Sequence, residues 1–124
     1  MASILIVEDE AQVLMLAESY LQEHGHQTLS ASSTTEALAN LEQEQPIDVL
    51  FTDIGLKENR EGGLDLAAQA AEQRPGLKVL YTSGQAITDG MKALFVPKSA
   101  IIPKPYTVDE LLTGLSMLAV SHPK

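Results

Sequence analysis

A chain of 124 residues is the size of one ordinary domain, long enough to bury a core without staples. Seventeen Asp and Glu against eight Lys and Arg give a net charge of −9, which argues against direct binding to nucleic acid or an anionic membrane through a broad basic face. The absence of cysteine excludes disulfides, thiolate metal sites and cysteine nucleophiles.

The opening "MASILIVEDE" holds a short apolar run that ends in acids, where a signal peptide needs a basic start and a longer apolar core. No later run approaches a membrane span, so a soluble cytoplasmic protein is expected. "ILIV" (Ile4 to Val7) reads as a first strand. A helix follows from about Glu10 to His24, with Val13, Ala17, Tyr20 and Leu21 on one face. "QTLSA" (Gln27 to Ala31) is a weak second strand. The second helix, Thr34 to Gln43, carries Ala37, Leu38 and Leu41 inward, and Ser33 with Glu36 fits a capping box at its start. "IDVLFT" (Ile47 to Thr52) is the third strand. A third helix runs from about Leu64 to Gln73, with Leu64, Ala67, Ala70 and Ala71 inward, and "RPG" stops it. "LKVLYT" (Leu77 to Thr82) is the fourth strand. The fourth helix is expected to be short or irregular, because Gly84, Gly90 and Pro97 interrupt any long periodicity. "AIIP" (Ala100 to Pro103) is the fifth strand, and a last helix begins at "TVDE", where Thr107 and Glu110 match a capping box and Leu111, Leu115 and Leu118 face inward. This alternation is the sequence form of a parallel sheet covered by helices on both faces. No repeat, low-complexity tract or linker interrupts it, so one domain over residues 1–124 is expected, with its core at about 3–120.

In an open parallel sheet, ligands bind outside the carboxyl ends of the strands. Strand one ends in Glu8 and Asp9, strand three in Asp53, strand four in Thr82 and Ser83, and strand five in Lys104. Carboxylates gathered there repel one another unless cations sit among them. All-oxygen acidic ligands suit a hard ion, and a small site completed by water suits Mg2+. Lys104 supplies a second, fixed positive charge, and Thr82 adds a hydroxyl that can donate to an oxyanion. A carboxylate nucleophile, a divalent ion, a lysine and a hydroxyl are the parts for moving a phosphoryl group onto an aspartate, here Asp53.

With these residues in view, the chain resembles a response-regulator receiver domain of the CheY-like family over essentially its whole length. "ILIVEDE", "DVLFTDIGL", "VLYTSG" and "PKPY" correspond in order to the family's acidic pair, phosphoacceptor, switch hydroxyl and lysine motifs. The resemblance implies a flavodoxin-like α/β fold of strand order 2-1-3-4-5, an Mg2+ site, and phosphotransfer to Asp53 from a histidine kinase or a phosphotransfer protein. It also implies Asp9 as a direct metal ligand beside Asp53, Glu8 as an acidic neighbour acting through water, and Gly55 as a main-chain carbonyl ligand. The family's lysine-proline bond is commonly cis, so a cis Lys104–Pro105 bond is expected.

Three departures stand out. The aromatic usual three residues before the lysine is Ile101. The loop after Asp53 has Lys57 in place of a proline and is longer before its glycines, so its charged tip is expected to be mobile or donor-specific. The irregular fourth helix lies on the face that reports phosphorylation in the family.

Plainer roles fit other residues. Ser83 and Gly84 read as a turn. His24 and His26 flank Gly25 at a helix end, where glycine stops the helix and imidazoles suit the negative dipole end. His122 falls in a terminal tail. Asp48, Asp65, Asp89 and Asp109 read as solvated or capping residues. The leading expectation is a stand-alone receiver without an output domain, signalling through a downstream protein target or acting as a phosphate sink. A non-switching docking or dimerisation module is the alternative, favoured by Ile101, and a homodimer is plausible by analogy. A hydrolase working through an aspartyl phosphate commonly has a second acid two residues after the nucleophile, where this chain has Gly55. No G-x-G-x-x-G follows the first strand, against a dinucleotide-binding domain.

Overall fold

The computed structural model describes residues 2–57 and 59–120; His122 lies outside them. Five strands alternate with five helices: β1 (Ser3–Val7), α1 (Ala11–Glu23), β2 (Gln27–Ala31), α2 (Thr34–Glu42), β3 (Val49–Asp53), α3 (Gly62–Gln73), β4 (Lys78–Ser83), α4 (Asp89–Ala93), β5 (Ser99–Pro103) and α5 (Val108–Met117). The strands form one parallel sheet in the order β2-β1-β3-β4-β5, the expected flavodoxin-like arrangement.

Strand side chains alternate between faces, and the two faces feed separate cores. Ile4, Ile6, Val49, Phe51 and Leu80 meet Ala17 and Leu21 of α1 and Leu111 and Leu115 of α5. Leu5, Val7, Leu50, Val79 and Tyr81 meet Ala37 and Leu41 of α2 and Leu64, Leu66, Ala67 and Ala70 of α3. A leucine or isoleucine buried this fully contributes about 1.5–3 kcal/mol relative to exposure. The central strands β1 and β3 are apolar on both sides for this reason.

The local signals act at most of the expected places. Gly25 ends the α1 region at φ +85, and Thr107 with Glu110 forms a closed capping box on α5. The box at α2 closes only halfway. Ser33 Oγ accepts from Glu36 N–H, but the Glu36 carboxylate turns to Ser32, accepting from its N–H and its hydroxyl. α4 has only five residues, capped by Thr88.

α3 departs from the expected boundary, beginning at Gly62. The apolar periodicity begins only at Leu64, and glycine disfavours helix interiors. Close packing requires it here: a Cβ on Gly63 would lie 2.0 Å from Asp53 O and 2.8 Å from Ile54 Cα. That contact lets α3 start directly against the end of β3. β3 itself begins at Val49, so Ile47 and Asp48 precede the strand. Asp48 is more than solvated, since its Oδ2 accepts from Ser3 N–H at 2.8 Å. His26 is buried, and its Nδ1 accepts from Ala2 N–H.

Candidate functional site

The parallel register sets the carboxyl ends of the strands side by side, with Asp53 directly opposite Thr82. Lys104 continues from β5, and its amide donates to Ser83 O at the end of β4. Sequence positions about fifty and a hundred residues apart thus meet at one edge. Lys104 Nζ lies 2.7 Å from Asp53 Oδ2, 2.8 Å from Glu8 Oε1 and 3.3 Å from Glu10 Oε1. The Lys104–Pro105 bond is cis.

Asp53 is buried, and its second oxygen, Oδ1, accepts from Gly55 N–H at 3.1 Å. Its backbone is fixed as well, because Ile54 N–H donates to Thr82 O at 2.9 Å. Asp9 stands farther out, with Oδ2 accepting from Lys57 N–H at 2.6 Å, which ties the loop after β3 to the end of β1. The same loop is drawn together by a Leu56–Asn59 bridge.

Burial dominates the electrostatics of Glu8 and raises its pKa; Lys104 and the Glu10 amide pull the other way without cancelling it. Burial alone would lower the Lys104 pKa, yet Asp53 and Glu8 outweigh it and raise the value, so the ammonium stays charged. Lys104 is shared among several carboxylates, so its attraction does not offset the burial of Glu8.

Among the described residues, Glu8, Asp9 and Glu10 can each bring an oxygen within 4.8 Å of the others. Asp53 joins this group through Lys104. Thr82 Oγ1 is buried and has no hydrogen-bond partner among the described residues. An unpaired buried hydroxyl costs free energy that a bound acceptor would recover. The donor set is therefore all oxygen with one hydroxyl waiting, which fits a hard divalent ion beside a phosphoryl group.

Two cavities meet at Asp53. One, of about 700 Å3, is walled by Val13 and Leu16 of α1, by Ser83 to Gln85, and by Pro105 and Tyr106. The other, of about 400 Å3, is lined by Asp9, Gly55, Lys57 and Arg60. Glu10, Gly55 and Gln85 border both.

Sequence reasoning missed three of these residues. Glu10 extends the acidic pair by one, and that adjacency was the available signal. Gln85 sits in the glycine-broken loop and donates from Nε2 to Arg60 O at 3.2 Å, linking the loops after β3 and β4. Tyr106 packs edge-on to Phe51, and burial together with the Glu8 charge pushes its pKa up to about 12. Ser83 forms the expected turn, accepting from Gln85 N–H. Ile101 packs against the core beside Tyr81, its register partner on β4.

The family profile described as "Response regulator receiver domain" matches residues 4–116. The chain belongs to this receiver family. The alginate biosynthesis transcriptional regulatory protein AlgB of Pseudomonas aeruginosa is 33% identical over 109 residues, 87% of this chain and 24% of AlgB. The chain thus spans about a quarter of the length of those regulators. The response regulator receiver protein CpdR of Brucella abortus is 26% identical over 122 residues, 98% of this chain and 99% of CpdR. Among solved structures, a response regulator receiver protein from Sinorhizobium medicae WSM419 superposes with a TM-score of 0.84 at 33% identity, covering 94% of this chain and 93% of that one. This chain is thus a CheY-like receiver domain of the two-component type. Among the described residues, no helix is long and apolar enough to cross a membrane.

Proposed function

We propose that this receiver accepts a phosphoryl group on Asp53 from a histidine kinase or phosphotransfer protein and signals as a single-domain response regulator through contact with a protein target in the cytoplasm. The observation that carries this is the pairing of a Lys104-clasped Asp53 with the unpartnered hydroxyl of Thr82 on the adjacent strand. The nearly full-length match to CpdR supports the single-domain part, and the net charge of −9 favours protein partners over nucleic acid.

In the transfer, an Asp53 carboxylate oxygen forms the new P–O bond while the donor's bond to phosphorus breaks and its electron pair leaves with the donor. Lys104 offsets the charge on the phosphoryl oxygens, and Thr82 Oγ1–H donates to one of them. Gly55 N–H holds the carboxylate in place for attack. Asp9, Asp53, the Gly55 carbonyl and, through water, Glu8 would hold Mg2+, which supplies further neutralising charge when bound. Reversal by water makes the chain its own timer rather than an enzyme acting on a foreign substrate.

The readout runs through Tyr81. This fully buried residue precedes Thr82, stacks on Phe95 with ring centroids 4.4 Å apart, and accepts from Val96 N–H at 3.1 Å through its hydroxyl. An aromatic ring thus stands on β4, beside the isoleucine on β5, and couples any shift of Thr82 to the segment after α4.

Intact mass after incubation with acetyl phosphate and Mg2+ tests the proposal. One labile phosphate on the wild type, absent in Asp53→Asn and in chelator, is expected; an unlabelled wild type beside a labelled control receiver would move the docking-module reading ahead.

A further inference from the structure

An ammonium group has three protons to donate. In this chain three carboxylates stand in position to take them: Asp53 at 2.7 Å, Glu8 at 2.8 Å and Glu10 at 3.3 Å. An incoming phosphoryl group needs one of those protons, so one carboxylate has to give way. Asp53 is the acceptor itself. The Glu8 side chain is only 4% exposed, and it also accepts from Glu10 N–H through Oε2. Glu10 differs from both. Its side chain is 63% exposed, its contact is the longest of the three, and it borders both cavities at Asp53.

The position of Glu10 in the chain strengthens the distinction. It is the N-cap residue of α1, yet its side chain makes no capping hydrogen bond. A carboxylate near a helix N-terminus gains from the dipole and from free N–H groups. The Glu10 carboxylate is instead directed across the site mouth to Lys104. Leaving Lys104 costs it little, since water and the helix end can receive it.

We infer that Glu10 is a displaceable positioning residue: it occupies the third proton of Lys104 in the unphosphorylated chain and releases it as the phosphoryl group enters. It therefore slows phosphoryl entry, and this follows from contact with Lys104 rather than from charge alone. The inference rests on the phosphoacceptor reading of Asp53.

The test compares wild type, Glu10→Gln and Glu10→Asp for the rate of labelling by acetyl phosphate in Mg2+. Mg2+ affinity is measured separately by titration calorimetry. At saturating Mg2+ both variants should label about two- to fivefold faster, the scale set by one exposed ion pair, and Glu10→Asp, which keeps its charge, should leave Mg2+ affinity unchanged. The aspartate keeps the charge but is one methylene too short to hold the same contact. If Glu10→Asp behaves as wild type while Glu10→Gln is faster, simple repulsion is at work and the inference is overturned. Slower labelling with weakened Mg2+ binding overturns it too, by assigning Glu10 to the ion. Equal rates in all three proteins overturn it while leaving Asp53 as acceptor; a wild type that takes no label removes the underlying reading.

Discussion

Lys104 Nζ stands 2.7 Å from Asp53 Oδ2 and, at 14% exposure, holds the charge balance of the whole strand edge. Lys104→Met leaves Glu8 and Asp53 together without a fixed cation. Labelling by acetyl phosphate should fall about 10²–10³-fold, the usual cost of removing one donor to developing charge. Stability in urea should fall by about 1–3 kcal/mol, because buried acceptors lose their partner. Added Mg2+ should restore part of the stability and little of the rate.

The start of α3 gives a second prediction. A Cβ on Gly63 would press on backbone atoms of Asp53 and Ile54, whereas one on Gly114 would meet Ile102 Cγ2 at 2.8 Å and Leu80 Cδ1 at 3.0 Å. Side chains can shift more easily than a central strand. Gly63→Ala should therefore cost more than the roughly 1–3 kcal/mol expected for overpacking at Gly114→Ala, and it alone should slow labelling of Asp53. Denaturant melts and labelling rates of the two variants check this.

Tyr106 supplies a pH prediction. Its folded pKa of about 12 lies above the ordinary 10.0. A phenol raised in this way stays protonated in the folded chain after the unfolded chain has begun to ionise. Stability is therefore lost as pH rises from 10.0 toward about 12. The phenolate absorbance of the folded wild type minus that of Tyr106→Phe should show its step near the upper end of that window. A step at 10.0 would contradict the burial of Tyr106.

Tyr81→Phe keeps the stacked ring and removes the acceptor for Val96 N–H. The loss should be about 0.5–1.5 kcal/mol, since half-buried Val96 can regain water. Labelling should be unchanged, while the amide shifts of Phe95 and Val96 between the free and beryllofluoride-bound states should shrink. Shifts equal to wild type would take Tyr81 out of the readout.

The strand-end residues were legible because a parallel sheet delivers its carboxyl ends to one edge whatever the helices do. Asp53, Thr82 and Lys104 follow from strand boundaries alone, and the brevity of α4 from Gly84, Gly90 and Pro97. What escaped depends on packing in three dimensions. Gly62 and Gly63 precede the expected helix start at Leu64, and only the approach of α3 to β3 at Gly63 shows that the helix begins before it. Leu66 lies outside the inward set read from periodicity, yet it is 1% exposed. The reach of Glu10 to Lys104 crosses 94 residues, and its adjacency to Glu8 and Asp9 marks the residue without naming its partner. The place of the Tyr81 ring beside Ile101 and on Phe95 depends on strand register and packing, which the strand sequence alone does not carry.

The central claim is that Asp53 carries the phosphoryl group. Acetyl phosphate and Mg2+ followed by borohydride reduction converts an acyl phosphate into a homoserine, which peptide mass mapping places in the sequence. Homoserine at position 53, and at no other acidic position, is the predicted result. Reduction at Glu8, Asp9 or Glu10, or none at 53 in a labelled chain, would contradict it.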